Sequence, residues 1–396
     1  MANAAATTPA KPSPATPSTA RAINDRAALH LFAARGPLTA LTLAEATGLA
    51  KPTIAELLAR LQERGLVEPA GEVRSDKRGP NAKLYALAAD RARVAGIDAR
   101  ADTVHLSVAD LAGRTIAEHT VAIPPDLPAD QVPDLLAAEL LTLAGHPADS
   151  THLDHTGHTA RQNRPPAPLL AVTIGMPGLV NPTTGHLGPT PIGPLWHRRL
   201  AAAIIERTGL DQTAVHLENE VNLAAIAEHR LLTDQGIDTF ALLWLDAGVG
   251  AAIVLDGRLR RGASGGAGEI GFLAAPGAHP QIDPVTGAGG ICDLLDAHAL
   301  TTLTKDLPPA EHPAAIAGQV VYGVAAFALT LDPGVVVLGG ANGSAGGAEL
   351  ADLVEHRLPE ICPVLTRILP TIVPGNPVLA GAVATALDRA RALLWP

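Results

Sequence analysis

The feature that most constrains this chain is a set of apolar strands that run directly into glycine turns. Leu169 to Ile174 ends in Gly175-Met176-Pro177-Gly178, and Val335 to Leu338 ends in Gly339-Gly340-Ala341-Asn342. Short apolar runs bounded by glycine are typical of strands buried on both faces, as in parallel sheets. The 38 Gly and 34 Pro residues also favour a fold with many turns over a helical bundle. We therefore predict an α/β fold.

Length and charge divide the chain into parts. Its 396 residues exceed one compact domain. Residues 1–93 carry 13 Lys and Arg against 8 Asp and Glu, whereas residues 94–396 carry 16 against 31. A small basic module on a larger acidic body is typical of a DNA-binding domain joined to a sensor or an enzyme. Residues 1–20 are Ala, Pro, Ser or Thr at 17 positions, which predicts a disordered tail.

Residues 21–88 have the pattern of a winged helix-turn-helix. An amphipathic helix begins near Ile23, and Thr42 with Glu45 forms a capping-box signature for a second helix, Leu43 to Thr47. Pro52 suits the first turn of a third helix. The apolar face of this third helix consists of Ile54, Leu57, Leu58 and Leu61. Two short helices around a glycine turn predict that the later helix enters the major groove.

The residues after the third helix are interpreted as a basic wing. Leu66-Val67 begins one strand, Lys83 to Leu87 returns as the second, and basic residues crowd the turn between them. We predict base-edge contacts from Lys51, Thr53 and Glu56. We predict phosphate or minor-groove contacts from Arg60, Arg74, Lys77, Arg78 and Lys83. The alternative is a small helical domain packed on the body, with solvated Arg and Lys side chains.

The body begins with three strands and a helix. The strands are predicted at Val94 to Asp98, Thr103 to Ala109 and Thr115 to Ile123, and the helix at 132–144. Residues 146–168 hold four His and four Pro, and we interpret them as a surface insertion. The four histidines raise the alternative of a metal site, but no carboxylate or Cys cluster accompanies them.

Two further segments place carboxylates where a ligand can reach them. The strand Val215 to Leu217 leads into Glu218-Asn219-Glu220-Val221-Asn222, which opens a helix from Leu223 to Leu232. Polar residues at the carboxyl end of a strand are typical ligand contacts in α/β folds. Asn219 and Glu220 also suit helix capping, and both interpretations can hold together. After a strand pair, Phe240 to Asp246 and Ala251 to Leu255, the glycine-rich run Gly262 to Gly271 contains Glu269.

This ordered set of motifs resembles the ROK family of transcriptional repressors and sugar kinases. The segments that carry the resemblance are 174–180, 218–222, 246–250, 262–271 and 332–340. It implies a two-lobed, actin-like ATPase (ribonuclease H-like) body behind the winged helix. The first lobe would span 94–217 plus about 377–396, and the second 218–376. The winged helix implies the repressor branch, whose members bind operators as dimers or tetramers and respond to sugars.

Departures from the family pattern affect the expected chemistry. Kinase members begin with an Asp-x-Gly-Gly-Thr turn that cradles phosphates, whereas this chain has Asp98-Ala99-Arg100-Ala101-Asp102. Glu220 occupies the position of the catalytic Asp. The family zinc site uses a His and three Cys, whereas Phe272 replaces the His and Cys292 alone falls in the knuckle region. The resemblance therefore implies no kinase activity, no cofactor and no metal. It leaves Asn219, Glu220 and Glu269 as effector contacts.

These observations predict a cytoplasmic DNA-binding regulator with a catalytically silent body. Its expected partners are double-stranded operator DNA and a sugar effector, and the chain is expected to form a homodimer or homotetramer. No membrane partner is expected. No apolar run reaches the roughly 18 residues of a membrane span, and no signal peptide is evident. The alternatives are a sugar kinase that uses Glu220 as base and MgATP as donor, and a regulator with a non-sugar effector or none.

Overall fold

In the computed structural model, described residues are 17–73, 81–145, 167–188, 193–275, 282–283 and 287–395. They form two compact units. The first contains the residues up to Ala92, together with Asp110–Ala112 and Arg391–Pro396. The second contains Arg93–Ala109 and Gly113–Ala390.

The first unit is a winged helix-turn-helix, as predicted. Its elements are α1 (Pro17–Arg35), β1 (Leu38–Thr39), α2 (Ala40–Thr47), α3 (Lys51–Glu63), β2 (Val67–Val73) and β3 (Ala82–Leu87). The strands form an antiparallel sheet in the order β1-β3-β2. The predicted apolar face of α3 is buried. It contributes to a core with Leu29 and Phe32 of α1 and Leu43 of α2.

Two boundaries in this unit differ from the sequence prediction. Helix α1 begins at Pro17, four residues inside the predicted tail. Helix α2 begins at Ala40, because Thr39 caps it: the Thr39 hydroxyl accepts a hydrogen bond from the Thr42 backbone N–H at 3.1 Å. The predicted capping box of Thr42 and Glu45 is therefore wrong, since an equally good cap lies three residues earlier.

The end of the chain also belongs to the first unit. Trp395 is buried and lies edge-on to His30, with ring centroids 4.7 Å apart. The Arg391 guanidinium lies 5.2 Å from the Trp395 ring centroid, within the range of a cation–π contact. We predicted that residues up to 396 belong to the first lobe of the body, whereas those from 391 onward group with the winged helix.

The second unit contains two five-stranded sheets. The strands of the first sheet are β4 (Arg93–Ala99), β5 (Thr103–Asp110), β6 (Thr115–Ala122), β7 (Leu169–Met176) and β8 (Val215–Asn219). Their order is β6-β5-β4-β7-β8, with β7 parallel to both neighbours. Helices α4 (Val132–Gly145) and α5 (His197–Thr208) pack into the core of this sheet. The predicted strands and helix agree with these elements to within two residues.

The second sheet has the order β11-β10-β9-β12-β13. Its strands are β9 (Phe240–Leu245), β10 (Val249–Leu255), β11 (Arg258–Leu259), β12 (Val335–Gly339) and β13 (Arg367–Pro370). The helices that follow the first sheet are α6 (Glu220–Leu232), α7 (Cys292–Leu295), α8 (Ala297–Thr304), α9 (His312–Leu331), α10 (Gly340–Arg357) and α11 (Pro377–Leu394). Helices α9 and α10 share one core cluster with this sheet, and α6 and α11 share another.

Helices α6 and α11 pack at a distance that only glycine permits. A Cβ atom on Gly381 of α11 would lie 1.9 Å from the carbonyl oxygen of Leu223 of α6. This close packing holds the first turn of α6, which carries the polar residues after β8, against the body core.

One helix of the body is strongly apolar. The stretch Pro309–Leu331 is long and apolar enough to cross a membrane by length and composition, and 44% of its most apolar window is buried. Eight residues of α9, including Val320, Val324 and Phe327, are buried, most of them in the core cluster of the second sheet. This helix therefore has the burial of a core helix.

Most of the predicted insertion 146–168 lies outside the described residues, and so do the wing-tip residues 74–80.

Candidate functional site

The end of β8 places three polar residues in a row. Strand β8 pairs in parallel with β7, so Glu218 lies beside Gly175 and Asn219 beside Met176. Asn219 is the N-cap of α6, and its side-chain oxygen accepts hydrogen bonds from the N–H groups of Val221 at 2.9 Å and Asn222 at 3.1 Å. The predicted helix cap is confirmed.

Asn219 uses its whole amide inside the protein. Its nitrogen donates to the Gly178 carbonyl oxygen at 3.2 Å and to Oε2 of Glu220 at 3.0 Å. An Asn amide has two N–H donors and two acceptor lone pairs, and all four are engaged here. We predicted Asn219 as a direct effector contact; a ligand hydroxyl would have to displace one of these bonds, so the geometry assigns Asn219 to the framework of the site.

Glu220 and Glu269 are two partly buried carboxyl groups that influence each other. Burial, reinforced by the charges of Asp98 and Glu269, raises the pKa of Glu220 to about 7 against the opposing effect of Arg100. Burial also raises the pKa of Glu269. With a pKa of about 7, the Glu220 carboxyl group can either accept a hydrogen bond from a sugar-type hydroxyl or donate one to it near neutral pH.

The glycine-rich loop that carries Glu269 packs directly on the body backbone. Gly268 has φ +95°, and a Cβ there would lie 2.0 Å from the carbonyl oxygen of Ala251. This glycine therefore has a packing role, independent of any ligand.

Glu218 is the most strongly engaged carboxylate of the site. It is 1% exposed. Its Oε2 accepts from Nε and a terminal nitrogen of Arg261 at 2.7 and 2.6 Å. Its Oε1 accepts from the Asn219 backbone N–H at 3.1 Å and from Nδ2 of Asn222 at 2.9 Å. Burial by itself would raise the pKa of Glu218, but hydrogen bonding from His216 together with Arg261 and Asn222 lowers it to about 2.

Arg100 lies among the carboxylates that end two strands. Its Nε donates to Oδ2 of Asp98 at 3.1 Å, and a terminal nitrogen lies 4.0 Å from Oδ2 of Asp246. Asp98 lies near the end of β4 and Asp246 directly follows β9, so one guanidinium interacts with carboxylates from both sheets. Nδ2 of Asn376, just before α11, donates to the same Asp98 oxygen at 2.8 Å. Burial opposes the charge of Arg100, but Asp98 and Asp246 raise its pKa.

Several residues of this site were not assigned a role from the sequence. Glu218, Arg261 and Asn376 act through buried ion-pair and hydrogen-bond contacts with residues 43 and 278 positions away along the chain. One local signal was available: Arg261 stands immediately before the glycine-rich run that leads to Glu269.

The N-terminal half of α3 presents polar side chains to solvent. Lys51, Thr53 and Glu56 are exposed, whereas the neighbouring Ile54 and Leu57 are at most 1% exposed. Pro52 lies in the first turn, as predicted. This division gives α3 a free polar face at the end of a helix, as base-edge readout requires.

Arg60 has a partner inside the first unit, which the sequence did not indicate. A terminal nitrogen lies 2.6 Å from Oδ1 of Asp25, which is 4% exposed. The hydrogen bond with Asp25 raises the pKa of Arg60 despite partial burial. We predicted that Arg60 contacts phosphate; its guanidinium instead neutralises a buried carboxylate of α1, so we remove it from the proposed DNA contacts.

The wing is present as an antiparallel strand pair. Strands β2 and β3 pair from Val67↔Leu87 to Val73↔Ala82, with an irregularity between Pro69 and Glu72. Lys83 on β3 is exposed. The predicted contacts Arg74, Lys77 and Arg78 lie outside the described residues.

The structure describes part of the segment in which the family zinc ligands were expected, including Phe272 and Cys292. Cys292 is a free, partly buried thiol whose pKa is raised by burial, and Phe272 is partly exposed. Within the described residues, no group of three His, Cys, Asp or Glu side chains is arranged to hold a metal ion.

Comparisons with known proteins match both units. The sequence model of the ROK family matches residues 156–293. That of the IclR helix-turn-helix domain matches residues 27–71.

One curated relative can be aligned with a longer part of the chain. The N-acetylglucosamine repressor of Escherichia coli O6:H1 is 24% identical over 263 residues, which are 66% of this chain and 58% of that sequence. The chain thus spans less than two thirds of the length of this curated relative.

Two solved structures have the same fold. A ROK family transcriptional regulator, described as a homologue of the E. coli MLC protein, has a TM-score of 0.69 at 18% identity and covers 95% of this chain and 98% of its own. A ROK hexokinase from Thermus thermophilus has a TM-score of 0.56 at 23% identity and covers 76% of this chain and 99% of its own.

Proposed function

Since this chain carries a ROK domain behind an IclR-type helix-turn-helix domain, we propose that it is a DNA-binding transcriptional repressor with a sugar-responsive, catalytically silent body. The observation that carries the proposal is the free polar face of α3. Lys51, Thr53 and Glu56 are exposed beside a fully buried apolar face. Phosphoryl transfer does not require an exposed polar helix face, whereas readout of bases in the major groove does.

The proposed DNA contacts follow from exposure and charge. Lys51, Thr53 and Glu56 would approach base edges, and Lys83, Arg74, Lys77 and Arg78 would contact phosphates or the minor groove. Backbone contacts of this kind position the protein and make binding depend on salt, whereas base-edge contacts provide sequence discrimination. These contacts make double-stranded operator DNA the proposed partner. We further propose, from the resemblance to the repressor branch, that a homodimer or homotetramer binds it in the cytoplasm.

The proposed effector site is built on Glu220 and Glu269. Within the described residues neither carboxyl group forms an ion pair: Arg100 pairs with Asp98 and Asp246, and Arg261 pairs with Glu218. The Glu269 carboxyl group and the Glu220 oxygen that does not accept from Asn219 suit the paired hydroxyl groups of a sugar. The repressor of similar sequence is named for N-acetylglucosamine, so this sugar and glucose are the first probes. A non-sugar effector, or none, is the alternative that such a panel would reveal.

A sugar kinase is the second candidate, and one observation favours it. The pKa of Glu220 is raised to about 7, which suits a general base near neutral pH. Against it, the turn after β4 lacks both glycines of the kinase pattern, and the Arg100 side chain lies between Asp98 and Asp246. Phosphoryl transfer depends on positioning and charge stabilisation, to which the backbone N–H groups of a glycine turn contribute by binding phosphate.

One assay separates the two candidates. Purified protein is incubated with MgATP and a panel of hexoses, beside the Glu220→Gln variant. The proposal expects no sugar-dependent ATP turnover from either protein. Turnover that Glu220→Gln abolishes would establish the kinase instead. Metal analysis after dialysis is expected to find no stoichiometric zinc.

A further inference from the structure

The buried contacts of Glu218 link the two segments that carry the proposed effector carboxyls. We call Glu218 and Arg261 the carboxylate clamp. One oxygen of Glu218 accepts two bonds from Arg261, at 2.7 and 2.6 Å. The other oxygen accepts from the start of α6, through the Asn219 N–H and the Asn222 side chain. The single carboxylate thus contacts both segments at once.

Arg261 is bonded to the glycine-rich loop as well as to Glu218. The backbone N–H of Ala267 donates to the Arg261 carbonyl oxygen at 3.2 Å, so the loop closes back onto its first residue. Glu269 follows two residues later, where its own N–H donates to the Gly266 carbonyl oxygen at 3.4 Å and the Ile270 N–H to Gly268 at 2.7 Å. The position of Glu269 therefore depends on where Arg261 is held.

Burial makes the clamp rigid on the Glu218 side. The Glu218 side chain is 2% exposed, and that of Arg261 is 34% exposed. A buried carboxylate that lost its guanidinium partner would keep only its remaining hydrogen bonds to stabilise its charge, so the ion pair is strongly favoured.

We infer that Glu218 and Arg261 are positioning residues for the effector site: their ion pair fixes the separation between Glu220 at the start of α6 and Glu269 on the loop, and so sets ligand affinity. This inference rests on the proposed function only for the identity of the ligand. Neither residue contacts the ligand. They act by fixing the relative positions of Glu220 and Glu269, which do contact it.

The test uses the full chain and four variants. Arg261→Met removes the guanidinium, and Arg261→Met with Glu218→Gln removes the buried charge as well, so that a folded protein without the clamp is available. Arg261→Lys is the conservative variant. Arg260→Met is the matched control, because Arg260 is the exposed neighbour on the same segment.

The first readout is hydrogen–deuterium exchange without any ligand. Amides of residues 262–271 are expected to exchange at least tenfold faster in Arg261→Met and in the double variant, less so in Arg261→Lys, and as in wild type in Arg260→Met. Peptides from β7 serve as the internal reference. Unchanged exchange of the loop in the double variant, or equal acceleration in β7, would overturn the inference.

The second readout is calorimetric titration with N-acetylglucosamine and with glucose. A Kd at least tenfold weaker in Arg261→Met and the double variant, partly restored in Arg261→Lys, is expected. An unchanged Kd in the double variant would overturn the inference and leave the proposed function standing. If wild type binds neither sugar, the proposed effector class fails, and the exchange experiment alone decides whether the clamp positions the loop.

Discussion

The polar face of α3 and the carboxylates around Glu218 at the end of β8, here called the strand-end site, place their functional groups in opposite environments. On α3, Lys51, Thr53 and Glu56 are exposed and belong to one continuous helix. At the strand-end site, Glu218 is 1% exposed and its partners come from segments up to 43 residues away. The first surface is therefore separable from the stability of its unit, whereas the second is part of the structure that holds its unit together.

This difference predicts different mutational signatures. Substitutions on the free face of α3 should change DNA binding and leave the free energy of unfolding nearly unchanged. Substitutions among the buried carboxylates should change stability and its pH dependence together with ligand binding, because the same contacts serve both purposes.

The largest expected effect is that of Arg261→Met on stability. Without its guanidinium, the buried Glu218 loses its ionic partner, and the free energy of unfolding should fall by about 3 kcal/mol at pH 7, the low end for a broken buried pair because Arg261 is one-third exposed. The pKa of Glu218 is lowered to about 2 from its usual 4.5. The stabilisation is therefore present above pH 4.5 and is lost as pH falls toward 2.

Urea denaturation between pH 3 and 8 measures this effect, with Arg260→Met as control. A wild-type and variant difference that stays constant down to pH 3 would contradict the assignment of the effect to Glu218.

Glu220→Gln should act in the opposite direction. The pKa of Glu220 is raised to about 7 from 4.5, so the fold prefers its neutral form and loses stability as pH rises from 4.5 through 7. Glutamine cannot ionise, so the variant should be about 2 kcal/mol more stable than wild type at pH 8 and equal to it near pH 4. Thermal unfolding at the two pH values measures this, and equal stability at pH 8 would show that Glu220 ionises without cost.

Thr53→Ala should separate recognition from stability. We expect a loss of about 1–3 kcal/mol in discrimination between operator and unrelated DNA. The free energy of unfolding should change by less than about 0.5 kcal/mol, because the side chain is exposed. Competition gel shifts and urea denaturation measure the two quantities. A variant that loses both together would mean that the face of α3 is structural, as the strand-end site is.

The smallest expected effect distinguishes two arginines of the first unit. Arg78→Ala should weaken binding to all sequences and reduce the slope of log K against log salt by about one. Arg60→Ala should leave that slope unchanged, because its guanidinium is paired with Asp25 at 2.6 Å. Salt titrations of both variants on one DNA fragment provide the comparison, and a reduced slope for Arg60→Ala would return it to the DNA contacts.

The same contrast explains what the sequence could predict. Periodicity located the buried face of α3, and glycine turns located the strand ends, because both depend on local spacing. The roles of Arg60, Arg100 and Arg261 depend on carboxylates distant in the chain, Asp25, Asp246 and Glu218, which no local pattern pairs with them. Capping of α6 by Asn219 could be predicted from its place before the helix, whereas its bonds to Gly178 and Glu220, which engage the rest of its amide, could not.

The most direct test is footprinting of the full chain on the DNA upstream of its own gene, with wild type, a Lys51→Ala and Thr53→Ala double variant, and Glu63→Ala as the exposed control on the same helix. The account predicts that wild type and Glu63→Ala protect the same discrete site and that the double variant protects none. Protection that the double variant retains, or no protected site with wild type, would contradict it.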